Sequence, residues 1–267
     1  GFIAGAAHTV VIGEEKVEDR RADVTHAAWN AAEAALRLVQ VGHTNTQVTE
    51  AFAQVAAEFN CKPVQGVKSH QLKRHVIDSD RAIASVESMD EKVETFEFEL
   101  NEVYCIDVVM STGEGKGREA ELRSTVFKRA VETSYLLKTQ KARQFISEVN
   151  RRFPALPFTL RAIEDEQVAR VGVSEAKRHE LLEEYPVLKE KDKEYVAQFK
   201  FTVLLLPGGT KRITGLPLGG AEKQLVTACE IKDEDLKKLL ASSANPKKKK
   251  KQKEKKEGAK AETKDGE

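Results

Sequence analysis

EYVAQFKFTVLLL, residues 194–206, is the stretch on which the reading of this chain turns. Val196, Phe199, Phe201, Val203 and the run Leu204–Leu206 are strand formers, and Pro207-Gly208-Gly209 closes the run. Its apolar half has the composition of a strand covered on both faces by helices. Lys200 stands between Phe199 and Phe201. A lysine so placed either snorkels from an edge to water or sits in a pocket as part of a site, and alternation alone favours the water-facing choice.

Outward from that strand, composition sets bounds. At 267 residues, 40% hydrophobic and 33% charged, the chain has material for one large domain or two small ones with a charged, helix-rich surface. No stretch approaches the roughly 20 apolar residues of a membrane span and no secretory apolar segment opens the chain, so no membrane insertion is expected. Cys61, Cys105 and Cys229 are odd in number, far apart and in no CxxC pairing, which favours buried thiols in a reducing compartment over disulfides or a zinc site. The 44 basic and 43 acidic residues are unevenly divided: residues 246–267 carry ten lysines against five acidic residues, leaving a mildly acidic body. Gly1 is no initiator, and GFIAGAAHTVVIG begins like a strand already under way, so the expectation is of a fold lacking an N-terminal part.

In chain order, Phe2–Ile12 reads as a strand closed by Gly13, and Val17–Gln40 as a long amphipathic helix ended by Gly42. Thr44-Asn45-Thr46-Gln47 resembles a capping box opening a helix over Gln47–Phe59. Lys62–Asp80 has no clear period. Thr95–Leu100, Val103–Met110 and Leu122–Arg129 read as strands, and Ser134–Phe153 and Glu164–Glu184 as helices. Lys211–Thr214 is a short hairpin partner for the opening strand, and Asp233–Ser243 a terminal helix. Ser111–Gly117 is a flexible turn; its Gly-x-Gly lacks the Lys-Ser/Thr and helix of a phosphate loop. The pattern implies an α/β (α+β) sheet with helices on one face.

Five segments in order, GFIAGAAHTV, SHQLKRHVID, NEVYCIDVVMSTGEG, PFTLRAIEDE and QFKFTVLLLP, resemble the type-II methionine aminopeptidases of pita-bread fold, and within them the non-peptidase branch. The resemblance implies that fold over residues 1–245, followed by a disordered Lys-rich tail, 246–267. In the enzymes two aspartates, a histidine and two glutamates hold two divalent metals. By resemblance the first aspartate would precede Gly1, the second falls on Gly5, the histidine on His70, and the glutamates on Asp107 and Lys200. A substrate-contacting histidine falls on Asp78. Divalent metals need neutral or anionic donors, and an ammonium ~3 Å from a dication costs about 10 kcal/mol even at an effective dielectric near 20. With no carboxylate at Gly5, the more economical expectation is that Lys200 takes the place of the metal and pairs with Asp107, with neither metal nor cofactor bound and no catalytic residue. His70 and His75 have no Ser or Cys nucleophile in a motif with them, and His70 is expected to be a satisfied pocket histidine.

Two further motifs bear on partners. Leu236, Leu239 and Leu240 form an LxxLL stretch, which could dock in a protein groove or simply pack its helix onto the body. Lys247, Lys248, Lys249, Lys250, Lys251, Lys253, Lys255 and Lys256 give a cationic run without interleaved aromatics, suited to phosphate contact and nuclear import and not to base stacking. The function expected is that of an inactive aminopeptidase homologue, monomeric when full length, in cytoplasm and nucleus or nucleolus. It would bind structured or ribosomal RNA, the ribosome, and protein partners in growth signalling, translation and transcriptional repression. The alternative is an active metal-dependent methionine aminopeptidase.

Overall fold

The computed structural model describes residues 3–12, 16–88, 92–218 and 225–244, in which runs of strands are separated by helices. They run β1 (Ala7–His8), α1 (Arg20–Leu38), α2 (Asn45–Glu58), β2 (Lys62–Pro63), β3 (Lys68–Gln71), β4 (Ala82–Ala84) and β5 (Val103–Ser111). Then follow β6 (Arg118–Glu119), β7 (Val126–Arg129), α3 (Gln140–Arg152), β8 (Phe158–Thr159), a 3-10 turn (Leu160–Ala162), α4 (Glu166–Arg178), β9 (Leu182–Tyr185) and β10 (Leu188–Lys189). The chain continues through β11 (Val196–Leu206), β12 (Gly209–Arg212) and α5 (Glu234–Ala241). Arg118–Lys189 with Arg74–Ile77 forms one unit, and the remaining described residues form a second, larger one.

In the larger unit, antiparallel strands are ordered β1-β11-β5-β3-β4, with β12 also on β11 and β2 on β5. β11 and β5 are its longest strands, in register over nine pairs from Val196↔Ser111 to Leu204↔Val103. Side chains alternate between faces, so directly opposed residues share one. The pairs Ala197↔Met110, Phe199↔Val108, Phe201↔Ile106 and Val203↔Tyr104 join a single core with α1 and α2. Ala27, Ala28, Ala31, Ala32, Ala34 and Ala35 of α1 are fully buried there, and residues this small let a helix approach a sheet closely. Each buried Val, Ile or Phe contributes about 1.5–3 kcal/mol of transfer free energy. Trp29 of α1 meets the Phe199 ring edge-on at 5.3 Å, which fixes the helix over the middle of β11. The expected capping box forms: the Thr44 amide donates to Gln47 Oε1 at 3.0 Å.

The smaller unit contains a three-stranded sheet, β8-β7-β9, and a separate β10-β6 pair. Helices α3 and α4 pack together over Phe127, Phe158 and Leu181. Gly172 makes their close approach possible, because a Cβ there would fall 2.3 Å from both Cβ and Cγ of Phe145.

Several expected elements differ. Thr95–Leu100 is not a strand; Phe96, Phe98 and Tyr104 make an aromatic cluster, and the segment's backbone bonds to the Gly42–Asn45 turn. The helix expected over Glu164–Glu184 ends at Arg178, because Glu180 enters left-handed backbone at φ 54° and the chain turns into β9. The helix expected from Ser134 begins at Gln140, where the Thr139 hydroxyl accepts from the Ala142 amide. The strand expected from Leu122 starts at Val126. The hairpin partner is Gly209–Arg212 rather than Lys211–Thr214. The aperiodic Lys62–Asp80 segment contains β2 and β3. Of the strand expected over Phe2–Ile12, Ala7 and His8 alone among the described residues form a ladder, and a side-chain hydroxyl holds the flank: Thr9 Oγ1 donates to the Gln198 carbonyl at 2.9 Å.

Candidate functional site

The polar positions of β11 and β5 gather on the sheet face opposite to the helix-covered one. There the opposed pairs are Gln198↔Val109, Lys200↔Asp107 and Thr202↔Cys105, and His70 on β3 stands opposite Cys105 from the other side. Lys200 and Asp107 meet: Nζ lies 2.9 Å from Oδ2, with the lysine side chain 36% exposed and the aspartate 12%. Gln198 Nε2 donates to the second carboxylate oxygen, Oδ1, at 2.7 Å. Both oxygens of Asp107 are therefore engaged by donors. The Asp107 amide donates to Ser69 Oγ at 2.8 Å, which ties β5 to β3 at this level.

Gly5 lies over Cys105 and Lys200: a Cβ at Gly5 would meet Cys105 Sγ at 2.7 Å and Lys200 Cε at 3.5 Å. The glycine is held through its backbone. Its amide donates to Thr202 Oγ1 at 2.8 Å, and its carbonyl accepts from Thr214 Oγ1 at 2.6 Å and Thr202 Oγ1 at 3.0 Å. Burial pushes the Cys105 thiol up; the neighbouring Lys200 ammonium and the Thr202 hydroxyl offset part of that. The raised thiol is the protonated form, which is the weaker nucleophile.

His70 is half-buried, with Nδ1 3.3 Å from the Ser79 carbonyl. Asp78 is exposed. Of the five positions that the resemblance sets against metal ligands or the substrate contact, four, Gly5, His70, Asp107 and Lys200, border one patch of sheet. The donor set does not fit the two-metal centre of the enzymes. Among the described residues, no group of three or more His, Cys, Asp or Glu side chains is placed to hold a metal ion. A dication at Asp107 would face the Lys200 ammonium, at a cost of about 10 kcal/mol. The glycine turn is occupied from within as well: the Gly115 amide and the Ser111 hydroxyl both donate to Glu190 Oε2, at 2.9 and 2.8 Å.

Gln198, Ser69, Thr202 and Thr214 complete the patch and were not singled out from sequence. The signal for two of them was present, since Gln198, Lys200 and Thr202 are the polar alternates of one strand. Leu236 is buried in the main core and Leu239 and Leu240 pack against it, so in the folded chain the LxxLL leucines hold α5 to α1 and α2. As docking residues they would first have to leave that core. The tail lysines, Lys247–Lys251, Lys253, Lys255 and Lys256, lie outside the described residues.

With this geometry in hand, similarity to known proteins is informative. ERBB-3 binding protein 1 of Arabidopsis thaliana is 48% identical over 233 residues, covering 87% of this chain and 59% of that protein. Proliferation-associated protein A of Dictyostelium discoideum is 40% identical over 247 residues, covering 91% of this chain and 63% of that one. The chain thus spans less than two thirds of the length of these relatives. Fungal methionine aminopeptidases are more distant; the 2-2 enzyme of Colletotrichum graminicola is 26% identical over 190 residues, 69% of this chain and 42% of the enzyme. Among solved structures, a thermophilic Arx1 superposes with a TM-score of 0.82 at 26% identity, covering 91% of this chain and 70% of that one. No family model matches the chain.

Proposed function

The chain is a homologue of the ERBB-3 binding and proliferation-associated proteins on a methionine aminopeptidase-like, pita-bread fold, and from that premise we propose that it works by binding and not by peptide hydrolysis. The observation that carries this reading is the Lys200–Asp107 ion pair, an internal cation at the level of the former metal centre. An aminopeptidase needs a metal to polarise the scissile carbonyl and generate hydroxide. Here both Asp107 oxygens face donors, and position 5 offers no carboxylate.

Binding then falls to surfaces outside the old pocket. The lysine run at 247–256 is suited to the phosphates of structured or ribosomal RNA, in isolation or on the ribosome, and to import into nucleus and nucleolus. The relatives named for binding ERBB-3 support a protein partner in growth control, and the reading extends to rRNA processing, translation and transcription. His70, a histidine as the resemblance expects, and Asp107, a shorter acid in place of a glutamate that could still ligate, favour the alternative of an active metal-dependent methionine aminopeptidase.

Two measurements test the proposal. Calorimetric titration with cobalt, manganese or zinc, together with a Met-peptide turnover assay, should give no site tighter than micromolar and no hydrolysis; tight metal binding with turnover establishes the alternative. RNA affinity measured at several salt concentrations should fall steeply with salt, by about 0.7–0.9 in log–log slope per phosphate neutralised. Truncation at Pro246 should flatten that slope by several units. An unchanged slope removes the tail from RNA binding.

A further inference from the structure

We propose that a groove in the smaller unit binds an acidic, amphipathic segment of a partner protein. The groove encloses about 780 Å3 between β7, the 3-10 turn and α4. Its floor is apolar and is presented by the half-buried side chains of Leu160 and Val173, with Phe127 and Ile163 buried beside them. Its rim is cationic, with Arg123, Arg161 and Arg170 contributed from three separate stretches of chain.

These three arginines make no hydrogen bond or ion pair within the described residues. Others in the same unit are tied down. Arg129 donates to the carbonyls of Leu181 and Thr133, Arg143 to those of Leu137 and Lys138, and Arg152 to the carboxylate of Glu148. Of the charged groups lining the groove, Glu166 is the one acid, and Lys177 is already paired with Glu184. The rim therefore presents guanidinium donors to whatever enters, and planar donors of this kind pair best with carboxylates.

Charge and floor together select the occupant. A segment with Leu, Ile or Phe on one face and Asp or Glu beside it fills the floor and satisfies the rim, as an amphipathic helix does in a hydrophobic groove. A nucleic-acid strand would reach the arginines but leave the aliphatic floor unfilled. It would also lack a stacking platform, because the Phe127 ring is 1% exposed. This groove is independent of the tail lysines, so either reading can fail without the other.

A phage-displayed library of random 12-residue peptides, selected against the full chain, tests the proposal. Enriched sequences should combine Asp or Glu with large apolar residues. The best of them, synthesised with a fluorophore, should bind more weakly as salt rises. It should lose at least tenfold in affinity in Arg161→Glu/Arg170→Glu, and also in Val173→Asp. Far-UV circular dichroism checks that each variant is folded; Arg123→Glu, before β7, serves if the α4 changes disturb the helix. Truncation at Pro246 should leave peptide affinity unchanged. Three outcomes overturn the proposal. The library could yield no acidic consensus, the consensus could bind the reversed variants as well as the parent, or a 15-nucleotide single-stranded RNA could bind with the same arginine dependence while no peptide does.

Discussion

Replacing Lys200 by methionine keeps the side-chain stem and removes the ammonium. Asp107, 12% exposed, then keeps Gln198 as donor to Oδ1 but loses its partner at Oδ2. A partly buried charged acceptor left short of a donor costs about 1–2 kcal/mol. Removing the carboxylate instead, by Asp107→Asn, should cost about 1 kcal/mol or less, because Lys200 is 36% exposed and its head can turn to water. The same exposure screens the attraction, so the coupling between the two is about 1 kcal/mol, well below the unscreened Coulomb value. The double variant should accordingly lose about 1 kcal/mol less than the two single changes added together. Urea unfolding followed by the one tryptophan, Trp29, reads the unit that holds the pair, since the indole packs on Phe199 beside Lys200. With a slope of about 2 kcal/mol per molar urea, Lys200→Met should lower the midpoint by roughly 0.5–1 M. Strictly additive variants, with a coupling under about 0.3 kcal/mol, would refute an energetically coupled Lys200–Asp107 pair.

Introducing carboxylates by Gly5→Asp with Lys200→Glu should give no peptidase activity in the presence of cobalt or manganese, because a side chain at position 5 meets Cys105 Sγ at 2.7 Å and Asp78 stands where the resemblance expects a substrate-contacting histidine; robust turnover of a Met-peptide would show the site to be intact. Gly172→Ala should destabilise the smaller unit by about 1–2 kcal/mol despite alanine's better helix propensity, since the added methyl overlaps Phe145; thermal unfolding by circular dichroism that shows a gain would contradict the close packing of α3 and α4. For Glu33, burial alone would raise the carboxyl, but the bond from Arg37 at 2.7 Å and the guanidinium of Arg212 outweigh it and hold the group below the ordinary carboxylate range. A depressed folded value means stability that is complete above the unfolded value, about 4.3, and is lost as pH falls through the folded one. Glu33→Gln should therefore be less stable at pH 7 and lose less on acidification below about pH 4.5, and parallel acid limbs for variant and parent would count against it.

What could be read from sequence followed physical regularity. The alternation of β11, the capping box at Thr44 and the apolar period of α1 each express a repeat that one face of an element must satisfy, and all three formed. The pairing of Lys200 with Asp107 was legible through resemblance, because similar segments occur in the same order and carry changed residues at ligand positions. Thr95–Leu100 alternates as a strand does, but irregular backbone stacks its Phe96 ring on Tyr104 and sets Phe98 edge-on to it, and periodicity cannot tell a ladder from a cluster. Helix α4 ends at Arg178 without glycine or proline, and Glu180 beyond it carries no sequence mark of its left-handed backbone. The arginine-rimmed groove was not legible, because Arg123, Arg161 and Arg170 belong to three stretches joined by folding alone.

The opposition of Lys200 and Asp107 also decides how the two longest strands are aligned. Sliding β11 by one residue would carry its whole apolar set to the wrong side of the sheet. A slip of two residues would keep the sides correct, and Phe199 and Phe201 would again meet apolar or aromatic partners in either direction. It would, however, set the ammonium across from Cys105 or Val109 and leave the carboxylate of Asp107 without its cation. The ion pair thus discriminates against the nearest competing alignment even if desolvation cancels its net stability. A variant with both charges removed would be expected to lose only about 1 kcal/mol yet to show less uniform strand alignment, a change visible as doubled amide resonances along β5 under conditions where the variant is still fully folded.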